Sequence, residues 1–326
     1  MNDQESTVLP APTSGPADTA IGIVVYNEGR NIRRLLQSIQ GQTAAERVSR
    51  IIVVASGCTD DTCELVSAMA DDDPRIKLLV EIGRHGKIAA INKFIAVAPE
   101  PILVVSCGDL ILKPATLENL LEPFRDSRTG MVGAHPIPLN AEPNFVGFAV
   151  RLMWSLHDRI SQREPKMSEL YAFRSVIGEL DTTALCDEIS VEQLVRGQGF
   201  EVVYAAEAHV LNQGPRTLSD FISQRIRWLA ANLQVMDSHD IRVSTMVPRN
   251  VLRAALAHVR VAHVRLDWMI TLAVIEAYCR LRAWLDYFVF REREKHRVWQ
   301  PVATTKDLRG ASPREVRGAE VLNREK

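Results

Sequence analysis

The first third of the chain alternates short apolar runs with amphipathic stretches. IGIVV (21–25) is apolar, rich in β-branched residues and closed by Tyr26-Asn27-Glu28-Gly29, which predicts a buried strand and a turn. Ile32, Leu35, Leu36 and Ile39 then recur at helical spacing and predict a helix with one apolar face. IIVVASG (51–57) repeats the strand pattern. Thr59 stands where it would cap a following helix, with Asp60 and Asp61 in the first turn facing the helix dipole. IKLLVEI (76–82) and ILVVS (102–106) read as further strands, with GKIAAINKFIAVA (86–98) a helix between them. Strand and helix in strict alternation predict an α/β domain with a mostly parallel sheet, Rossmann-like, covered by helices on both faces. Such sheets bind ligands beyond the carboxyl ends of their strands, where the YNE, SGCTDD and CGD segments fall.

Beyond about residue 130 the texture changes. Helical and irregular pieces lead to FEVVYAAEAHV (200–210), a further strand, and from Thr217 the chain reads as helix almost to Trp299. Leu252, Leu256, Val259, His263, Leu266 and Ile270 form a stripe near Arg249, Arg253, Arg260 and Arg265. The expectation is a solvated face beside a packed one, with contact to acidic lipid headgroups as the alternative. The longest uncharged run there, Trp268 to Ile275, is far short of a membrane span. The expected organisation is a disordered tail (1–19) rich in Pro, Ser and Thr, an α/β domain (20–235), a helical region (236–300) and a charged tail (301–326).

Composition narrows the function. A formal net charge of -1 over 326 residues gives no global basic field and excludes a nucleic-acid-binding role driven by charge. Five cysteines, odd in number and without metal-ligand spacing, fit a reducing compartment. The N-terminus is acidic and polar with no apolar h-region. The expected location is the cytoplasm, or peripherally the cytoplasmic face of the membrane.

ILVVSCGDLIL (102–112) carries the most pointed chemistry. An apolar strand ends by delivering one carboxylate, Asp109, with Cys107 two residues before it. Asn27 and Glu28 follow the first strand, Ser56 the second, and Gly86-Lys87 with Asn92 open the helix before the strand that ends in Asp109. A helix N-terminus, a lysine and a hard carboxylate on one edge suit a phosphate with its divalent cation. Mg²⁺ is held by one or two carboxylates plus substrate phosphates, so a single acid can suffice and a nucleotide diphosphate is a reasonable ligand.

The ordered series IGIVVYNEGRNI, IIVVASGCTDDT, GKIAAIN and ILVVSCGD resembles glycosyltransferase family 2, whose members have the GT-A fold. Gln224-Arg225-Ile226-Arg227-Trp228 matches the QxxRW pattern of many members. CDEISVEQLVRGQGF (186–200) resembles the segment with the family's acidic pair, and EPKMSELYAFR (164–174) the segment near the acceptor. The closing WQPVATTK (299–306) resembles an ending of some bacterial members.

The resemblance implies an inverting transferase that moves a sugar from a UDP- or GDP-linked donor to an acceptor hydroxyl of unknown identity. Tyr26, Asn27, Glu28, Ser56, Lys87 and Asn92 would bind the donor, and Asp109 would hold Mg²⁺ or Mn²⁺ as the last acid of a DxD. Ala55-Ser56 and Cys107 stand where members usually have acids, and a hard cation prefers oxygen to Cys107 sulfur. Asp187 or Glu188 would be the base, with Glu188 favoured by its distance from Gly199 and a raised pKa expected from apolar surroundings. Glu169, Arg174, Gln224, Arg227 and Trp228 would form the acceptor or closing site. Two rival readings are a GT-A-like nucleotidyltransferase and a degenerate scaffold that binds nucleotide sugars without turnover.

Overall fold

The computed structural model describes residues 18–239, 242–261 and 265–290 together with Thr305 and Leu308. Its centre is an eight-stranded sheet: β1 (Thr19–Val25), β2 (Val48–Ser56), β3 (Ile76–Glu81), β4 (Ile102–Cys107), β5 (Leu110–Leu112), β6 (Thr129–Pro138), β7 (Leu170–Arg174) and β8 (Glu201–Asn212). The spatial order is β3-β2-β1-β4-β7-β6-β8-β5. β1 to β4 are the alternating strands read from the sequence, and they pair in parallel. β7 then runs antiparallel between β4 and β6, β6 pairs in parallel with β8, and β5 closes the edge antiparallel to β8. The sheet is therefore mixed, with four of its seven pairings parallel.

The first helices form as their spacing dictates. α1 (Ile32–Gln40) buries Ile32, Leu35, Leu36 and Ile39, the four residues of the predicted face. α2 (Thr62–Asp72) and α3 (Lys87–Val97) follow, and α3 buries Ile88, Ala90, Ile91 and Phe94 on the opposite sheet face from α1. Thr59 does not cap α2. Asp60 Oδ1 accepts from the Thr62 N–H at 3.1 Å, while the Thr59 N–H is spent on Asn27 Oδ1 at 2.8 Å.

The later elements are α4 (Thr116–Leu121), α5 (Phe145–Ser161), α6 (Asp187–Gly197), α7 (Leu218–His239), α8 (Pro248–Val261) and α9 (Leu266–Trp284), which runs into a π-helical turn, Leu285–Val289. The long helix expected from Thr217 is broken. After α7, a 3₁₀ turn at Ser244–Met246 precedes α8, and Arg265 caps a separate α9. The 235/236 boundary falls inside α7. β1 opens at Thr19, which is fully buried, rather than at Ile21. His263 of the stripe and most of the two terminal tails lie outside the described residues.

One expected site residue takes a different post. Arg174 pairs in register with Ile102, at the start of β4, whereas Asp109 follows that strand's other end. It is buried and donates to the carbonyls of Thr129 (2.8 Å), Phe124 (2.9 Å) and Asp126 (3.2 Å). Arg174 fastens the chain entering β6 to β7, at the opposite end of β4 from Asp109. Arg174→Ala strands those carbonyls, each orphaned buried acceptor costing about 1–3 kcal/mol. Denaturant unfolding should show a lower midpoint with nucleotide affinity unchanged; lost affinity in a variant of unchanged stability would return Arg174 to the site.

Candidate functional site

The loops after β1, β2 and β3 are bound into one rim at the carboxyl edge of the sheet. Asn27 sits at φ 52° and acts as its buckle. Its side chain accepts from the Thr59 N–H and donates to Thr59 Oγ1 at 3.2 Å, while its own N–H points at Cys58 Sγ at 3.4 Å. Gly57, at φ 67°, lies so near the Gly83 backbone that a Cβ would come within 2.8 Å of its carbonyl carbon. The Arg84 guanidinium lies over the Tyr26 ring, 3.7 Å from its centroid. Ser56 Oγ, at the end of β2, is buried without a hydrogen-bond partner.

Glu28 supports this rim from beneath instead of lining it. It is buried, its carboxylate accepts from Asn31 Nδ2 at 2.8 Å, and its N–H donates to Thr62 Oγ1 at 2.8 Å. A Cβ on Gly108 would meet Glu28 Cγ at 2.7 Å, so the Cys107-Gly108-Asp109 turn rests directly on this side chain. Asn92 is also a fastener. It donates to the Leu180 carbonyl and accepts from the Leu180 N–H, both at 2.8 Å, tying α3 to the loop before α6.

The charged groups converge where α3 begins. Lys87 is its first residue, and its Nζ lies 2.9 Å from Asp187 Oδ2, at the start of α6. Tyr171 OH donates to the same oxygen at 2.8 Å. Burial works against the Lys87 ammonium, but the attraction of Asp187 and then Glu188 wins and its pKa is raised. Next along α6, Glu188 Oε1 lies 3.1 Å from Lys166 Nζ. Burial pulls the Glu188 carboxyl up, yet Lys166 and then Lys87 outweigh it and hold it down at about 2. This is opposite to the rise that apolar surroundings alone would bring, because the buried Lys166 and the partly exposed Lys87 face it.

The raised carboxylate is Glu169. Burial, and then the charge of Asp109, push it up to about 7, while Asn212 Nδ2 donates to it at 2.7 Å. Burial likewise pushes the Cys107 thiol up, with Asp109 and Glu169 adding to the effect, so the sulfur stays protonated and is no ligand for a hard cation. The charge of Asp109 disfavours that of Glu169, and a divalent cation bound by both carboxylates would relieve it. Asp109 and Glu169 thus fit Mg²⁺ or Mn²⁺, with the other ligands left to phosphate and water. Among the described residues, no group of three or more His, Cys, Asp and Glu side chains gathers to hold a metal.

α7 props the acidic pair. Gln234 Oε1 accepts from the Leu185 N–H at 2.8 Å, and Ala231 and Val235 pack on Leu185, Cys186 and Ile189. Gln224, Arg227 and Trp228 stand earlier on α7. Arg225 lies over the Trp228 ring at 4.4 Å, and burial pushes Arg227 down to about 10. Lys166, Tyr171 and Asn212 went unnoticed in the sequence. Lys166 and Tyr171 lie in the 164–174 segment, but only the fold shows that they face the acidic pair. Asp158, beside the buried His157, binds Tyr204 OH at 3.2 Å and Gln162 Nε2 at 3.0 Å, a structural network.

Residues 20–174 match the model of glycosyl transferase family 2, a stretch of less than half the chain. That stretch is similar to glycosyl transferase family 2. Two curated relatives align over a similar span: the glycosyltransferases AglE and AglD of Haloferax volcanii. AglE is 27% identical over 113 residues, 35% of this chain and 37% of its own. AglD is 28% identical over 128 residues, 37% of this chain and 20% of its own. The chain therefore covers well under half the length of either relative. Among solved structures, a mannosyltransferase from Pyrobaculum calidifontis in complex with GDP-Man and Mn²⁺ superposes with TM-score 0.56 at 18% identity, over 89% of this chain and 88% of that one. The likeness establishes the GT-A-type fold, carried through into a helical C-terminal region.

The low pKa of Glu188 has a consequence for stability. Its folded value, about 2, lies below the ordinary 4.5. A depressed carboxylate stabilises the fold fully above its unfolded pKa and loses that contribution as pH falls through the folded one. Chemical denaturation between pH 4.5 and 2 should therefore show a shallower decline in Glu188→Gln than in the wild type. Identical slopes would mean that Lys166 does not hold the charge of Glu188.

Proposed function

We propose that the chain is a metal-dependent, inverting glycosyltransferase that moves a sugar from a nucleotide-diphosphate sugar to an acceptor hydroxyl. The observation that carries this reading is one electrostatic cluster, Asp109 with Glu169 and Lys87 with Asp187, at the carboxyl edge of a sheet whose sequence matches family 2. The P. calidifontis neighbour, solved with GDP-Man and Mn²⁺, supports a nucleotide-sugar donor and a divalent cation by analogy of fold.

Asp109, with Glu169 beside it, would hold Mg²⁺ or Mn²⁺, and a cation there supplies charge stabilisation to a departing diphosphate. Tyr26, Asn27 and Ser56 form the rim on which the nucleoside would lie. Lys87, at the N-terminus of α3, offers its ammonium to the diphosphate. Asp187 is spoken for by Lys87 and Tyr171 and serves as a positioning residue. Glu188 is the less buried of the pair and takes the acceptor hydroxyl proton as that oxygen attacks the sugar carbon from the face opposite the nucleotide. Lys166, bound to Glu188, holds the carboxylate ionised and aimed. Gln224, Arg227 and Trp228 of the QxxRW segment would close over the acceptor.

Asp109→Asn keeps the shape and removes the charge that the cation needs. Calorimetric titration of UDP and GDP with Mn²⁺ should show the metal-dependent part of binding lost and turnover abolished; undiminished Mn²⁺-dependent binding would remove Asp109 from the metal site. Glu188→Gln should retain donor affinity and lose about 10² to 10⁴ in turnover, the usual range for a missing general base. Donor-sugar hydrolysis and transfer assays on the purified variant, run beside Asp187→Asn, decide the matter. Near-wild-type turnover in Glu188→Gln would move the base elsewhere.

A further inference from the structure

α9 is built inside out. Between residues 268 and 290 no charged side chain is exposed. Its outward face carries Ile270, Val274, Tyr278, Leu281, Trp284 and Phe288, each between 40% and 68% exposed. The hydroxyl within that face, Thr271, donates back to the Asp267 carbonyl at 2.8 Å. The charges are turned toward the protein. Glu276 accepts from Arg225 of α7 at 2.7 and 2.8 Å and from Arg280 at 2.7 Å, and Arg282 pairs with the buried Asp286 at 2.5 Å. Confining ion pairs while leaving aromatic and aliphatic side chains in water reverses the ordinary polarity of a surface helix, and a patch of this kind marks a docking face.

α8 repeats the feature with a basic flank. Leu252, Leu256 and Val259 are exposed at helical spacing, and Arg249 and Arg253 are exposed on the same helix. Arg253 also lines a cavity of about 220 Å³ between α8 and the end of α5, together with Arg159, Arg163, Asn250 and Glu164. Asn250 Nδ2 donates to Glu164 Oε2 at 2.8 Å, Arg159 Nε is buried without a partner, and none of the three arginines forms an ion pair among the described residues. The groove therefore holds three cations against one carboxylate.

We propose that the outward face of α8 and α9 docks on an anionic phospholipid bilayer and lies in its interfacial layer, with lipid phosphates taken by Arg159, Arg163 and Arg253. Two observations select lipid over a protein partner, and a third bears on the mode of contact. The face mixes aliphatic side chains with Tyr278, Trp284 and Phe288, and Trp and Tyr rings suit the headgroup boundary. Beside its α8 part, the groove of Arg159, Arg163 and Arg253 carries arginines without ion-pair partners among the described residues, complementary to anionic headgroups. No described helix is long and apolar enough to cross a membrane, so the contact is with its surface. The proposal is independent of the sugar-transfer reading.

The test is sedimentation of the full chain with vesicles of phosphatidylcholine alone and of phosphatidylcholine with phosphatidylglycerol. The wild type should pellet with the anionic vesicles and weakly with the neutral ones. Val274→Glu with Leu281→Glu should lower that binding roughly tenfold or more, and Arg163→Glu with Arg253→Glu should abolish the preference for phosphatidylglycerol. Circular dichroism and thermal midpoints establish that the surface variants fold. Equal pelleting of wild type and the glutamate pair overturns the proposal. So does a concentration-dependent dimer, seen by light scattering and broken by the same pair, in a chain that ignores vesicles; the face would then belong to a second copy. Binding without a phosphatidylglycerol preference overturns the role of the arginine groove.

Discussion

The ion pair between Lys87 and Asp187 joins two regions of the molecule that the sheet alone would leave separate. Lys87 begins α3, which packs on the parallel strands; Asp187 begins α6, which packs on β6, β7 and β8. A buried pair of this kind gives little net stability, because desolvation offsets most of the attraction, but losing either partner leaves an uncompensated charge. Its value is geometric. Tyr171 shares the Asp187 oxygen, Asn92 fastens α3 to the Leu180 backbone, and Gln234 of α7 holds the Leu185 N–H. The acidic pair, the lysine and the strand ending at Asp109 are thereby fixed relative to one another.

What the sequence disclosed follows from which signals are local. β1 to β4 are apolar runs closed by turn residues, and the face of α1 is a spacing, so both could be read without knowing what packs against them. β7 is five residues, LYAFR, whose antiparallel place between β4 and β6 depends on partners far along the chain. β6 carries two prolines and a glycine-rich start, which mask its pattern, yet it pairs on both sides. Non-local pairing is the part of a sheet that periodicity does not encode.

The same distinction separates the site residues. Asp109 stands out in the sequence because a lone acid ending a buried strand is unusual anywhere. Arg174 sits in the same segment as Glu169, but the strand carries it to the opposite end of the sheet, where it serves carbonyls. Glu28 and Asn92 were read as donor contacts because polar residues at strand and helix ends suit ligands; in the structure each also holds partners within the protein, Asn31 and the Leu180 backbone. The Glu188 pKa was misjudged for a related reason. Apolar neighbours argue for a raised value, and the fall to about 2 comes from Lys166, whose approach is a tertiary fact.

The electrostatics also order the site into two compartments. On one side Asp109 and Glu169 repel each other, which leaves a deficit of positive charge. On the other, Lys87 and Lys166 each hold one member of the acidic pair. A dianionic diphosphate with its cation would meet both needs at once, the cation at the carboxylates and the phosphates beside Lys87. Phosphate drawing on Lys87 would weaken the lysine's grip on Asp187 and its field at Glu188 together, and the Glu188 carboxylate would then be more basic with donor bound. In the absence of donor the same lysines keep that carboxylate ionised but poorly basic. On the proposed function, the arrangement couples the strength of the base to occupancy of the donor site through charge alone.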